Sequence, residues 1–214
     1  MQLSKYLREP MNGFTHFIGI ALAITGLVVL LTRSAENTVW HTVSFSIFGA
    51  AMIMVFLFST LYHWLPISGE ALKVFRKIDH IMIFVFIAAS YTPVCLVTIR
   101  GGWGWSIFGV VWGITLFGLF MKIFWLSAPR WLSTALYLLM GWIVVIGIWP
   151  IIQNMVSQGI FWMVLGGLFY TTGAVIYGIK KPNPWPHVLG FHEIFHLFIL
   201  AGSFAHFWMV YKYI

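Results

Sequence analysis

A chain of 214 residues that is 61% hydrophobic and only 8% charged cannot cover a water-facing surface, for which about a quarter charged residues is usual. This excludes a soluble globular domain and implies one embedded in lipid. The net charge of +7 sits in short gaps between apolar segments, with no basic run interleaved with aromatics, so it argues against a nucleic-acid partner and for contact with membrane lipid headgroups.

Twelve tryptophans within a 19% aromatic content suit a protein with two membrane interfaces to line. The single cysteine, Cys95, lies in an apolar run. It excludes an intrachain disulfide and a cysteine-based metal cage.

A spanning helix needs about 20 mostly apolar residues. Seven stretches meet this, at roughly 14–31, 39–63, 78–99, 105–125, 131–151, 160–179 and 189–211. The first is too long for a signal-peptide core and lacks a clear small-residue cleavage site, so it reads as a span. The gaps carry turn and charge signals: residues 33–37, Pro66 to Lys77, Arg100-Gly101-Gly102, residues 127–130, Gln153 to Gly159 and residues 180–184. The segments are continuously apolar and not alternating, which rules out a β-barrel pattern. The expected fold is all-α: one seven-helix membrane domain over residues 1–214, in a cell membrane.

Lysine and arginine set the orientation. The N-terminal side of the bundle holds Lys5, Arg8, Lys73, Arg76, Lys77, Lys122, Arg130, Lys180 and Lys181, against Arg33, Arg100 and Lys212 on the other. The positive-inside bias therefore predicts a cytoplasmic N-terminus and an outer C-terminus.

Ionisable groups inside membrane helices are costly, so each is a functional candidate. With this topology His63 ends helix 2 at the cytoplasmic face. Asp79 and His80 fall in the expected first turn of helix 3, and His192, Glu193 and His196 in the first two turns of helix 7. His16 begins helix 1, preceded by Glu9 and Asn12. Four helices thus place polar residues at one depth, although hydropathy and loop charge alone set the topology.

Spacing sharpens the site. His192 and His196 are four apart and share a helix face, as do Ser59 and His63. Three imidazoles from two helices suit zinc and leave a fourth position for water, the catalytic arrangement. Asp79 is then the candidate proton acceptor and Ser59 the candidate hydrogen-bonding partner of water or a substrate oxygen. Glu9, Asn12, His16, His80 and Glu193 are supporting candidates. His80 points about 100° away from Asp79. His41 and His206 read as packing residues, His206 lying about 15 Å from His196 along its helix, and His187 as a solvated loop residue. His192-Glu193-Ile194-Phe195-His196 also fits the zinc-protease pattern H-E-x-x-H, but no carboxylate follows Glu193 to act as third ligand.

The motifs Glu9-Pro10-Met11-Asn12-Gly13-Phe14-Thr15-His16, Ser59-Thr60-Leu61-Tyr62-His63, Lys77-Ile78-Asp79-His80, Ser90-Tyr91-Thr92-Pro93 and His192-Glu193-Ile194-Phe195-His196 occur in that order across nearly the whole chain. With them the chain resembles the bacterial hemolysin III family, which is related to progestin and adiponectin receptors and, more distantly, to alkaline ceramidases. The resemblance implies a seven-helix bundle with its N-terminus inside, zinc held by His63, His192 and His196, Asp79 bonded to the water on zinc, and Ser59 nearby. Receptor relatives typically carry Gln at the position of Glu193, which speaks against Glu193 as a universal base.

The expected function is a zinc-dependent hydrolase acting on a lipid amide or ester at the cytoplasmic membrane face. The alternatives are a regulator or receptor-like protein with structural zinc, a cytolytic protein, and an intramembrane metalloprotease.

Overall fold

The computed structural model describes residues 6–35, 37–125, 127–185 and 188–214. His187 and Lys5, both read above from sequence, lie outside the described residues. The elements are α1 (Pro10–Ser34), α2 (Val39–Trp64), α3 (Gly69–Pro93) running into a π-helical turn (Val94–Thr98), α4 (Gly102–Phe124), α5 (Arg130–Trp142), a 3₁₀ stretch (Ile143–Gly147), α6 (Ile148–Asn154), α7 (Ser157–Ile179) and α8 (Phe191–Tyr213). Counting α5 to α6 as one interrupted span, seven of these are long and apolar enough to cross a membrane. The described residues form no strand beyond one isolated bridge between Trp185 and Leu189.

Neighbours in sequence pack as neighbours in space from α1 to α4. The ring closes through α8, which packs on both α1 and α7, while α5 packs on α3 and α7. Large apolar side chains, Phe45, Phe48, Phe56 and Phe84 among them, are fully buried between the helices. Others such as Leu116, Phe117, Leu139 and Ile146 face outward, where lipid is their solvent. Small residues set the closest approaches. A Cβ on Gly166 of α7 would lie 2.4 Å from the His206 ring of α8, the usual use of glycine where membrane helices touch.

Two features differ from the sequence expectation. First, α3 begins at Gly69, nine residues before the expected start at Ile78. Glu70, Lys73, Arg76 and Lys77 make this stretch look like a loop, but the helix continues beyond the apolar band, its first turns laced by a Lys73–Glu70 ion pair of 2.7 Å. Asp79 and His80 are therefore in the third turn of α3 and not the first.

Second, the fifth span is not a continuous helix but breaks at Ile143–Gly147. A break inside lipid leaves backbone groups that must find partners within the protein. Tyr91 of α3 supplies them. Its hydroxyl lies 2.9 Å from the Met140 carbonyl and 2.6 Å from that of Gly141, and it accepts from the Val144 N–H at 3.0 Å. Tyr91 belongs to the Ser-Tyr-Thr-Pro motif, for which the sequence alone suggested no task.

Candidate metal centre

The site begins with how α1 is tied to α2. The Glu9 N–H donates to the His63 carbonyl at 2.9 Å, and Trp64 Nε1 donates to the Pro10 carbonyl at 3.0 Å. The Trp64 ring lies against Gly13, where a Cβ would be only 2.0 Å from it. Only a residue without a side chain lets α1 come this close. Arg8 caps the junction: its guanidinium stacks 4.4 Å over Tyr62 and donates to the Tyr62 carbonyl.

This strap sets Glu9 onto His63. Glu9 Oε2 lies 2.5 Å from His63 Nδ1, and Asn12 Nδ2 donates to the same oxygen at 3.2 Å. A carboxylate can only accept, so Nδ1 carries the proton and Nε2 keeps its lone pair. Burial opposes ionisation of Glu9, but the His63 hydrogen bond and the Arg8 guanidinium favour it, and the carboxyl lies below the usual carboxylate range.

His196 is fixed in the same sense from α1. Its Nδ1 lies 3.2 Å from the Asn12 carbonyl and 3.1 Å from Thr15 Oγ1. The Thr15 hydroxyl already donates to that carbonyl at 2.8 Å. The carbonyl oxygen requires a proton on Nδ1, which again leaves Nε2 as the electron-pair donor. His16 stacks on the His196 ring, with centroids 3.7 Å apart and planes 13° from parallel.

His63, His192 and His196 converge. Their ring centroids are 4.7 to 5.1 Å apart, and one nitrogen from each falls within 4.8 Å of the others. Tyr177 of α7 packs edge-on to His192 at 5.6 Å. This group could hold a metal ion. The carboxylate and the carbonyl behind two of the rings have the form of outer partners that orient metal-binding histidines, so the donor set fits a metal ion.

Asp79, from α3, and Ser59, one turn before His63 on α2, are both buried. Asp79 lies within interaction range of Ser59 and His63. Asp79, Ser59, His63, His192 and His196 line one cavity of about 540 Å³ together with Glu9, His16 and His80, whereas Asn12 and Glu193 do not line it. Its remaining wall is largely apolar, with Ile83 and Ile87 from α3, Val94 from the π-helical turn and Met163 from α7. Trp142, Val145 and Val164 line it too while being substantially exposed toward lipid. There Trp142 Nε1 donates to Thr171 Oγ1 at 3.1 Å, across the seam between α5 and α7.

Glu193 is placed elsewhere. Its Oε2 accepts from the Gly190 N–H at 2.8 Å, capping its own helix. It steadies the turn that carries His192 and does not line the cavity. His80 does line the cavity, and its carbonyl accepts from the Tyr137 hydroxyl at 3.1 Å. His41 is a packing residue as expected, between Thr38 and the Ile214 carbonyl. His206 stacks on Tyr170 at 5.4 Å and lines the far part of the cavity. Thr15, Arg8 and Tyr177 were not singled out from sequence. Thr15 does stand inside the first motif, one residue before His16.

The sequence model of the family described as "Haemolysin-III related" matches residues 4–207. The chain belongs to the haemolysin-III-related family.

Among relatives of this haemolysin-III-related chain, "Hemolysin-3 homolog" of Bacillus subtilis (strain 168) is 37% identical over 96% of this chain and 93% of its own length. "Hemolysin-3" of Bacillus cereus is 32% identical over 100% of this chain and 95% of its own. A more distant likeness is to "Adiponectin receptor protein" of Drosophila melanogaster, 26% identical over 93% of this chain and 49% of that protein. Seven apolar helices and membership of the haemolysin-III-related family make this a multi-pass bacterial membrane protein.

Proposed function

We propose that this protein is a zinc-dependent hydrolase that cleaves a lipid amide or ester at the cytoplasmic membrane face. The observation that carries the reading is the meeting of three histidines, Asp79 and Ser59 in one largely apolar cavity that reaches lipid-facing residues. The cytoplasmic side follows from the lysine and arginine bias of the loops.

His63, His192 and His196 would hold the zinc, as neutral nitrogen ligands suit it. Zinc, when bound, supplies Lewis acidity toward a carbonyl oxygen and makes water a stronger acid. Asp79 takes the proton from the attacking water as general base and returns it to the leaving nitrogen or oxygen. Ser59 donates to the carbonyl oxygen or holds the water in line. Glu9 and the Asn12 carbonyl keep the imidazoles in one tautomer and orientation. The apolar wall holds the acyl chain and keeps bulk water from competing. In the net reaction water adds across the C–N or C–O bond, giving a carboxylic acid and an amine or alcohol.

The test is turnover of a panel of ceramide-like amides and lipid esters by purified, zinc-loaded protein in nanodiscs. Wild type should release fatty acid from at least one, and Asp79→Asn should not, with its zinc retained. Equal activity in the two would overturn the role of Asp79.

A second reading, a membrane regulator with structural zinc, has one observation in its favour. The histidines come from α2 and α8, and Glu9 precedes α1, so a metal there would clasp three helices. If His63→Ala lowers the melting temperature and no lipid is turned over by wild type, this reading replaces the first.

A further inference from the structure

A second polar cluster, centred on α4 and α5, lines the same cavity as the histidines of α2 and α8. Lys122, in the last turn of α4, is 2% exposed. Its Nζ donates to Ser133 Oγ, in the first turn of α5, at 2.5 Å. Among the described residues no carboxylate pairs with it. Arg76 of α3 is close enough for its charge to act on both Lys122 and Asp79. Lys122, Ser133, Thr134 and Arg76 all line the cavity.

A buried ammonium is costly, and a single hydroxyl neither neutralises it nor satisfies its three donors. Loop charges that only set topology lie in water, where they are cheap. Lys122 does not, and a buried cation facing a cavity invites an anion. Two cations beside hydroxyl donors match a phosphate monoester, with about −1.5 to −2 charges and three acceptor oxygens, better than a carboxylate with one charge and two.

We propose that Lys122 and Ser133, with Arg76 beside them, form an anion subsite that takes the phosphate of an amphiphile whose chain lies along the apolar part of the cavity. This rests on the reading that the cavity receives a lipid, but not on hydrolysis. The phosphate sits on the α3–α4–α5 wall, apart from the histidines of α2 and α8, so the subsite selects which polar head enters while leaving the zinc position to the reacting group.

The experiment measures binding to the full-length, zinc-loaded protein in phosphatidylcholine nanodiscs, in wild type and in Asp79→Asn, which keeps ligands intact. The probes are a lysophosphatidate, a monoacylglycerol and a fatty acid of the same chain length, and inorganic phosphate. The lysophosphatidate should bind about tenfold or more tighter than the monoacylglycerol, the size of one charge-assisted hydrogen bond. Lys122→Met should erase that preference and leave monoacylglycerol binding and zinc content unchanged. It should also fold at least as stably as wild type, because an uncompensated buried charge is removed. Arg76→Gln, which keeps the buried ammonium, should reduce the preference severalfold and provides the reading if Lys122→Met does not fold. Equal binding of lysophosphatidate and monoacylglycerol, or an undiminished preference in both variants, overturns the subsite. Equal binding of the fatty acid, with the same sensitivity to Lys122, overturns phosphate as the ligand. Inorganic phosphate binding as tightly as the lysophosphatidate overturns the amphiphile. Absence of any turnover, with the phosphate preference intact, defeats the hydrolase reading and leaves the subsite standing.

Discussion

Glu9 Oε2 and His63 Nδ1 lie 2.5 Å apart across the junction of α1 and α2, so the residue before the first span fixes the tautomer of a candidate metal-binding histidine at the end of the second. Removing the carboxylate charge should loosen that control without deleting a ligand. Glu9→Gln is expected to weaken zinc binding about 10–100-fold, measured by competition with a chromogenic chelator. His63→Ala should lose more. Unchanged affinity in Glu9→Gln would mean that the carboxylate only packs.

The same junction depends on the contact of Gly13 with Trp64. Gly13→Val should force the Trp64 ring away, costing about 1–3 kcal/mol, the range for overpacking. The measurement is unfolding in detergent. Zinc affinity should fall with stability, since displacing Trp64 also moves the strap that carries Glu9. Stability lost with zinc affinity intact would uncouple the two.

Tyr91→Phe tests the break in the fifth span. It keeps the ring but removes the hydroxyl that serves Met140, Gly141 and Val144. Unsatisfied buried polar groups cost about 1–3 kcal/mol, so the variant should unfold more readily while retaining full zinc content. A neutral effect would show that water or a shifted backbone replaces the hydroxyl.

Glu193→Gln separates helix capping from catalysis. Glu193 holds the Gly190 N–H, and Gln can make the same bond without the charge. Turnover should therefore stay within about tenfold of wild type, whereas loss of a true general base costs about 10²–10⁴-fold, the effect expected for Asp79→Asn. A peptidase activity abolished in Glu193→Gln and intact in Asp79→Asn would reverse the assignment.

The seven spans were legible because the length of an apolar run is a property of the chain alone. The meeting of His63, His192 and His196 was legible too: the four-residue spacing fixed one pair, and the parity of the spans brought the third to the same layer. What was not legible depends on other helices. The first turns of α3 resemble a loop because Glu70, Lys73, Arg76 and Lys77 lie beyond the apolar band, where hydropathy no longer reports a helix. The 3₁₀ break needs Tyr91 from α3, fifty residues away in the case of Gly141, and the run around it is as apolar as any other. Lys122 looked like a topology marker because a charge count does not register burial. Glu9 was placed in the right layer, but its bond to one particular imidazole follows from the Gly13–Trp64 contact, which no spacing encodes.

The cavity has His63, His192 and His196 toward one end, with His206 about 15 Å further along α8 from His196. A molecule lying in it must point its polar end toward a single leaflet. For a lipid bound as proposed above, the two halves of the bilayer would not be equivalent sources: one from the near leaflet would enter already aligned, whereas one from the far leaflet would first have to turn over. The rate of lipid flip-flop would then set the supply of the second pool, independently of anything the protein does.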